Sequence, residues 1–196
     1  MTVPIRRADE NDLAAAADTL AAAFADYAWT RWSVPADDHA ARLRELQALY
    51  LRHALAHGVV LVSDDVRAVA ALLPAGAPAP GSAVQERVAA LHGDRLPALL
   101  AAELPPRPAG AWDLATLGVH PDARGRGLGS TVVATALGHV AADDPAAVVA
   151  LETSDERNVR LYERHGFATT ARTQVPDGPL IVSMVRAAPV PASQPS

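Results

Sequence analysis

Residues 111–142 constrain the fold more than any other part of the chain. "AWDLATLGV" (111–119) reads as a strand, and "TVVATALGHVAA" (131–142) is apolar and helix-permissive. Between them, the segment Arg124 to Gly129 packs three glycines and two arginines into six residues. A helix start presents unpaired N–H groups and a partial positive charge, which makes it an anion site suited to phosphate or diphosphate. Gly125, Gly127 and Gly129 let the backbone approach a ligand closely and tolerate positive φ. Arg124 and Arg126 add charge and donors. The turn is therefore suited to a diphosphate. The other reading is a glycine-rich cap to the strand with no ligand.

Two nucleotide motifs fail on spacing. The ATP/GTP loop needs G-x-x-x-x-G-K-[ST], and the chain has no lysine. The dinucleotide fingerprint G-x-G-x-x-G belongs near the start of a βαβ unit, whereas here G-x-G-x-G lies late in the chain. A net charge of -5 argues against a general nucleic-acid binder. The absence of cysteine removes disulfides, thiolate metal sites and cysteine nucleophiles. The N-terminus turns polar at once and no apolar run is long enough to span a membrane, so a cytoplasmic protein is expected.

The 196 residues, half of them hydrophobic, suit one domain. Strands are expected at 3–8, 59–63, 66–73, 111–119, 147–153, 167–172 and 180–186. Helices are expected from Asp9 as N-cap through Tyr27, then at about 37–57, from 82 to about 91, and at 97–104, 127–142 and 155–165. "AWTRWSVP" reads as a loop. Ser82 with Gln85, and Thr153 with Glu156, have capping-box spacing. Residues 1–186 form the predicted domain and 187–196 a disordered Pro-rich tail. The order predicts an α/β (α+β) fold: a mixed, mostly antiparallel central sheet with helices on both faces. The "LIVSMV" strand reads as exposed and able to pair across a dimer, so a monomer or a homodimer is expected.

Arg124-x-x-Gly127-x-Gly129 after "LGVHPDA" resembles the acetyl-CoA signature of the GNAT N-acetyltransferases, [QR]-x-x-G-x-[GA]. "LETSDERNVRLYERHGF" resembles that superfamily's next motif, and the element order is similar across nearly the whole chain. "TLAAAFADY", "ELQALYL", "LATLGVHPD", "GLGS", "LETS", "YERHGF" and "VPDGP" further resemble the puromycin N-acetyltransferases and their relatives. The resemblance implies that Leu117, Gly118 and Val119 pair their backbone with pantetheine. It implies that the N–H groups of Arg124, Gly125, Arg126, Gly127, Leu128, Gly129 and Ser130 take the pyrophosphate, with Asn158 also at the cofactor. Strand 147–153 should splay from strand 111–119 to open a slot. Acetyl-CoA is the implied cosubstrate, with no metal.

Acetyl transfer to an amine needs a neutral amine, a polarised carbonyl and a donor for the departing thiolate. Without cysteine, direct transfer is the simpler route. Tyr162 matches the family tyrosine near the cofactor sulfur and is the candidate acid; it is also placed to be a core aromatic beside Phe167. Asn158 lies four residues earlier on the same helix face. For the base, Glu152 at a strand end, which also reads as an acidic charge at the start of helix 155–165, competes with Asp113, whose other reading is a solvent-facing start of its strand, and with water. His120 reads as a surface residue. His39, His53, His57, His92, His139 and His165 lack metal-ligand spacing and read as structural or solvated. Four of the eight aromatic residues lie between Phe24 and Trp32. Phe24 continues the apolar helix stripe into the core, while Tyr27, Trp29 and Trp32 are candidate substrate-binding residues. The expected function is N-acetylation of a small-molecule primary amine, with a puromycin-like aminonucleoside as one acceptor and antibiotic resistance as a consequence. The rival is a non-catalytic acyl-CoA-binding or sensor domain.

Overall fold

A computed structural model describes residues 3–187; positions 188–196 of the expected tail lie outside the described residues. The strands are β1 (Ile5–Arg7), β2 (Val59–Ser63), β3 (Ala68–Leu73), β4 (Trp112–Val119), β5 (Val149–Thr153), β6 (Ala168–Gln174) and β7 (Leu180–Arg186). The helices are α1 (Leu13–Phe24), α2 (Ala28–Ser33), α3 (His39–His57), α4 (Ser82–His92), α5 (Leu96–Leu100), α6 (Leu128–Asp143) and α7 (Glu156–Glu163). One sheet runs in the order β1-β2-β3-β4-β5-β7-β6, antiparallel except for β4 against β5. The expected mixed, mostly antiparallel sheet is the observed one.

The strand sequences explain why both sheet faces are covered. Along β2 and β3, Val59, Leu61, Ala68, Ala70 and Leu72 join one core with α6 residues such as Val132, Val133 and Ala136. The alternate residues Val60, Val62, Val69 and Ala71 join a second core with Leu13, Ala17 and Leu20 of α1 and with Leu51 and Ala54 of α3. Strands buried on both faces read as unbroken apolar runs, as "VVLVS" does. At Gly118 the backbone of β4 touches α1: an added Cβ would lie 2.7 Å from Leu20 Cδ2 and 3.0 Å from Ala23 Cβ. Only a residue without a side chain lets that helix sit so low on the strand.

Several local expectations change. Residues 28–33 form a short helix rather than a loop. Asp9 is a cap as expected, but of the turn Glu10–Asp12 that precedes α1, and it accepts the Asn11 N–H at 2.7 Å. Neither predicted capping box forms. Gly81 starts α4, with the Gln85 amide donating to the Pro80 carbonyl. Asp155 caps α7 by accepting the Arg157 N–H at 2.8 Å, two residues beyond Thr153, which ends β5 with its hydroxyl against Tyr27 and Asn158. The "LIVSMV" strand is not an edge. β7 lies between β5 and β6 with Ile181, Val182, Ser183 and Met184 buried, so it has no free side for a second copy; β1 and β6 are the edges.

The feature that positions the site is the fork between β4 and β5. They pair only at Trp112 with Val149 and Asp113 with Ala150. Beyond Asp113, β4 continues to Val119 without a partner on that side, while β7 covers the other side of β5 along its whole length. On its other edge β4 carries a bulge: Ala71 pairs with Thr116 and Leu72 with Leu114, leaving Ala115 as the extra residue.

Candidate active site

A groove and a cavity meet at this fork. The groove, about 620 Å³, runs past Leu117, Gly118 and Val119 of β4, the turn from Arg124 to Ser130, and the start of α7. The cavity, about 380 Å³, lies between α1, α2 and α3 on one side and β5 and α7 on the other. Phe24, Tyr27, Leu117, Ser154 and Asn158 line both.

The glycine turn adopts the conformation its sequence suggests. Gly125 and Gly127 have φ of 77° and 78°, the left-handed region that favours glycine, and Gly127 is the N-cap of α6. Nothing lies within 4 Å of where a Cβ would sit at either position, so the space over the helix start is open. Gly125, Gly127, Leu128, Gly129 and Ser130 line the groove, and the Ser130 hydroxyl pairs with His165 Nε2 at 2.7 Å. The two arginines differ, since Arg124 also lines the groove. The Arg124 guanidinium is turned back onto α1, donating to the Ala23 carbonyl at 2.9 Å, and Arg126 is not among the groove-lining residues. The helix start adds its partial positive charge to those of Arg124, Arg157 and Arg164, which all line the groove.

Tyr27 ties the two sides of the fork together. The Ser154 N–H donates to its hydroxyl at 2.7 Å, and that hydroxyl lies 2.9 Å from Thr153 Oγ1. The Asn158 amide donates to the same Thr153 oxygen at 3.3 Å. Phe24 stacks at 5.3 Å from Tyr27 and lines both spaces, so it belongs to the site as well as to the core beneath it. Trp29 lines the cavity, but Trp32 does not. Trp32 packs on the β6–β7 turn, where a Cβ at Gly178 would meet its Cε2 at 2.9 Å.

Tyr162 is both a core residue and a site residue. It is 6% exposed, packs edge-on to Phe167 at 5.6 Å and lines the cavity. Burial pushes its phenol well above the usual range, with Tyr27 adding to the effect, so the group stays protonated even at alkaline pH.

Glu152 lines the cavity and is held by an arginine that sequence reasoning missed. Arg107, from the loop before β4, contacts Glu152 Oε2 at 2.7 Å and Asp113 Oδ2 at 2.8 Å. The register explains the cluster. Asp113 pairs with Ala150, so Asp113 and Glu152 project from the same sheet face on neighbouring strands. Asp113 is not a solvent-facing start of the strand: its side chain is only 19% exposed and Oδ1 is enclosed without a partner among the described residues. Burial raises its carboxyl to about 6; Arg107 opposes the rise and Glu152 adds to it.

This has a pH consequence. Between the ordinary value of 3.8 and about 6, folded Asp113 keeps a proton that the unfolded chain has lost. Its contribution to stability is therefore present below pH 4 and disappears as pH rises through 6. At about 1.4 kcal/mol per pKa unit the swing is about 3 kcal/mol. Asp12 behaves oppositely: its hydrogen bonds from Arg6 hold it at about 2, so its contribution is lost as pH falls from 4 toward 2. Asp113→Asn, which mimics the protonated acid, should gain on the wild type by about 2–3 kcal/mol between pH 4 and pH 7.5 in urea unfolding. A difference independent of pH would place the Asp113 carboxyl in the ordinary range.

Other histidines resolve individually. His39 and His92 are buried against the Thr30 and Ser33 carbonyls and are structural. His53 lines the cavity, which its sequence context did not signal. His120 Nδ1 accepts the Asp122 N–H at the turn after β4. No cluster of three or more potential metal ligands occurs among the described residues. No helix among them is long and apolar enough to cross a membrane.

Comparison with known proteins agrees with this architecture. A Corynebacterium glutamicum protein named as histone acetyltransferase HPA2 and related acetyltransferase has 26% identity and a TM-score of 0.75, over 98% of this chain and 99% of its own. Arylalkylamine N-acetyltransferase 2 from Aedes aegypti has 13% identity and a TM-score of 0.69, over 96% and 100%. A Salmonella typhimurium protein solved with its cofactor acetyl-CoA has 19% identity and a TM-score of 0.57, over 100% and 99%. At these last two identities the likeness concerns the fold. The model of the acetyltransferase (GNAT) family matches residues 21–167, and with the forked sheet and the open helix start already described, the chain belongs to the GNAT family of acetyl-CoA-using acetyltransferases.

Proposed function

We propose that the protein transfers the acetyl group of acetyl-CoA directly to the primary amine of a small molecule with an apolar or aromatic body. A puromycin-like aminonucleoside is one acceptor of that class. The observation that carries the reading is the junction at the β4–β5 fork, where a groove with an open helix start runs into a cavity lined by aromatic side chains, Glu152 and Tyr162.

The residues present fit acetyl-CoA. The β4 edge from Leu117 to Val119 offers main-chain donors and acceptors that β5 leaves unpaired. The turn from Gly125 to Ser130 offers N–H groups under open space, and Asn158 borders both compartments. Bound there, acetyl-CoA supplies an activated acetyl thioester. Tyr162, a protonated phenol on the cavity wall, would be the donor to the departing sulfur. Glu152, fixed through Oε2 by Arg107, draws in the amine and takes its proton, directly or through a water. The nitrogen–carbon bond forms as the carbon–sulfur bond breaks. One proton leaves nitrogen and one arrives on sulfur, so the products are an acetamide and free CoA.

The direct test is a panel of primary amines incubated with protein and acetyl-CoA while free thiol is followed. Thiol release that requires an aromatic or apolar primary amine supports the reading. Acetyl-CoA binding by calorimetry with no amine-dependent release from any acceptor, the aminonucleoside included, would overturn it in favour of an acyl-CoA sensor.

A further inference from the structure

We infer that Gln47 is the polar recognition group of the acceptor cavity, and that the preferred amine carries a second, uncharged hydrogen-bonding group on its apolar body. The inference rests on the acceptor reading of the cavity given above. Gln47 lies on α3 four residues after Leu43, four before Leu51 and seven before Ala54, all buried. That spacing marks the helix's apolar stripe, where patterning favours a leucine over a carboxamide. The residue is 7% exposed and lines the cavity, and its Oε1 is enclosed without a hydrogen-bond partner among the described residues. Buried polar groups are nearly always paired, so an orphaned carboxamide in a cavity wall calls for a partner from outside the chain. The other two such atoms among the described residues, Asp113 Oδ1 and Ser183 Oγ, belong to residues that do not line the cavity.

The rest of the cavity narrows what that partner is. Around Gln47 the α3 wall continues as Tyr50, His53 and Ala54, against Ala71 and Leu73 of β3. Glu152 and Tyr162 stand on the β5–α7 wall; Glu152 is assigned to the amine and Tyr162 to the departing sulfur. Glu152 and His53 are the only Asp, Glu, Arg or His side chains among the described residues lining the cavity, and the three tyrosines there are neutral phenols, so a second charge on the ligand would lack a counter-ion. A carboxamide both donates and accepts, and a half-turn about its last bond exchanges the two ends. A hydroxyl or an amide on the ligand satisfies it equally well.

The test uses pairs of phenylalkylamines of increasing chain length, with and without a para-hydroxyl or para-carboxamide. Binding is measured by calorimetry to protein saturated with CoA, which permits no turnover. The wild type should favour the polar member of at least one pair by about tenfold, the size of one well-made hydrogen bond. Gln47→Met, close in shape and apolar, should abolish that preference and bind the apolar member at least as well. Without ligand, Gln47→Met or Gln47→Leu should melt above the wild type, because the orphaned group is gone. A preference that survives in Gln47→Met, no discrimination in any pair, or a lower melting temperature in both variants would overturn the inference. CoA binding with no amine binding at all is a different result: it removes the acceptor reading itself.

Discussion

Tyr162→Phe should lower kcat by about 10²–10⁴, the usual size of a general acid–base contribution, with acetyl-CoA affinity nearly unchanged. The split follows from the two roles of the side chain. Its ring packs edge-on against Phe167 in the core, and phenylalanine keeps that packing. What disappears is a protonated phenol on the cavity wall. A loss confined to the ground state would raise the acetyl-CoA Kd and leave kcat alone, which would make Tyr162 a packing residue. The measurement belongs at saturating acceptor with a pre-steady-state phase, because slow product release can hide a slower chemical step. A kcat within about threefold of wild type in single-turnover conditions removes the phenol from the chemistry.

Glu152 and Asp113 show where sequence reasoning reached the site and where it stopped. Both were legible as carboxylates near the ends of the right strands, because strand position follows from local apolar patterning. Their partner was not legible. Arg107 sits in "PPRPAG", a loop without periodicity, and meets them only because the fork sets β4 and β5 side by side for two residue pairs. The glycine turn was legible in part, since tolerance of positive φ is a property of glycine itself; Gly125 and Gly127 use it, while Gly129 lies inside α6 without it. Arg124 lines the groove as its position suggests, but the direction of its side chain was not legible. A side chain's destination depends on what the fold places nearby, here the carbonyl end of α1. The capping boxes failed on register: Thr153 ends β5 and Asp155 caps α7 in its place, while Ser82 is already the first residue of α4. The aromatic cluster from Phe24 to Trp32 was a sound pointer to the cavity, yet only tertiary packing separates Trp29 from Trp32. Gln47 carried a signal that was available and not used, a polar residue on an apolar helical stripe.

Gly127→Val should weaken acetyl-CoA binding by about 100-fold or more, and this is the test of the groove. Two costs combine and have to be separated. The first is conformational: a β-branched residue at a φ of 78° costs about 1–2 kcal/mol. In a chain of this size that lowers the melting temperature by about 2–8 °C and leaves a folded protein. The second is occlusion. The space over the N-cap of α6 is open, with nothing within 4 Å of the Cβ position, so a valine side chain would occupy the place an anion takes above the first N–H groups. Losing two or three charge-assisted hydrogen bonds at about 1.5 kcal/mol or more each accounts for 100-fold or more in affinity. Gly110 supplies the control. It has a φ of 75°, likewise nothing within 4 Å of its Cβ position, and it lines neither the groove nor the cavity. Gly110→Val should therefore lose a similar amount of thermal stability and keep its acetyl-CoA affinity. If both variants lose affinity alike, strain alone is responsible and occlusion contributes nothing. If Gly127→Val folds and binds acetyl-CoA as the wild type does, the cofactor does not sit over this helix start.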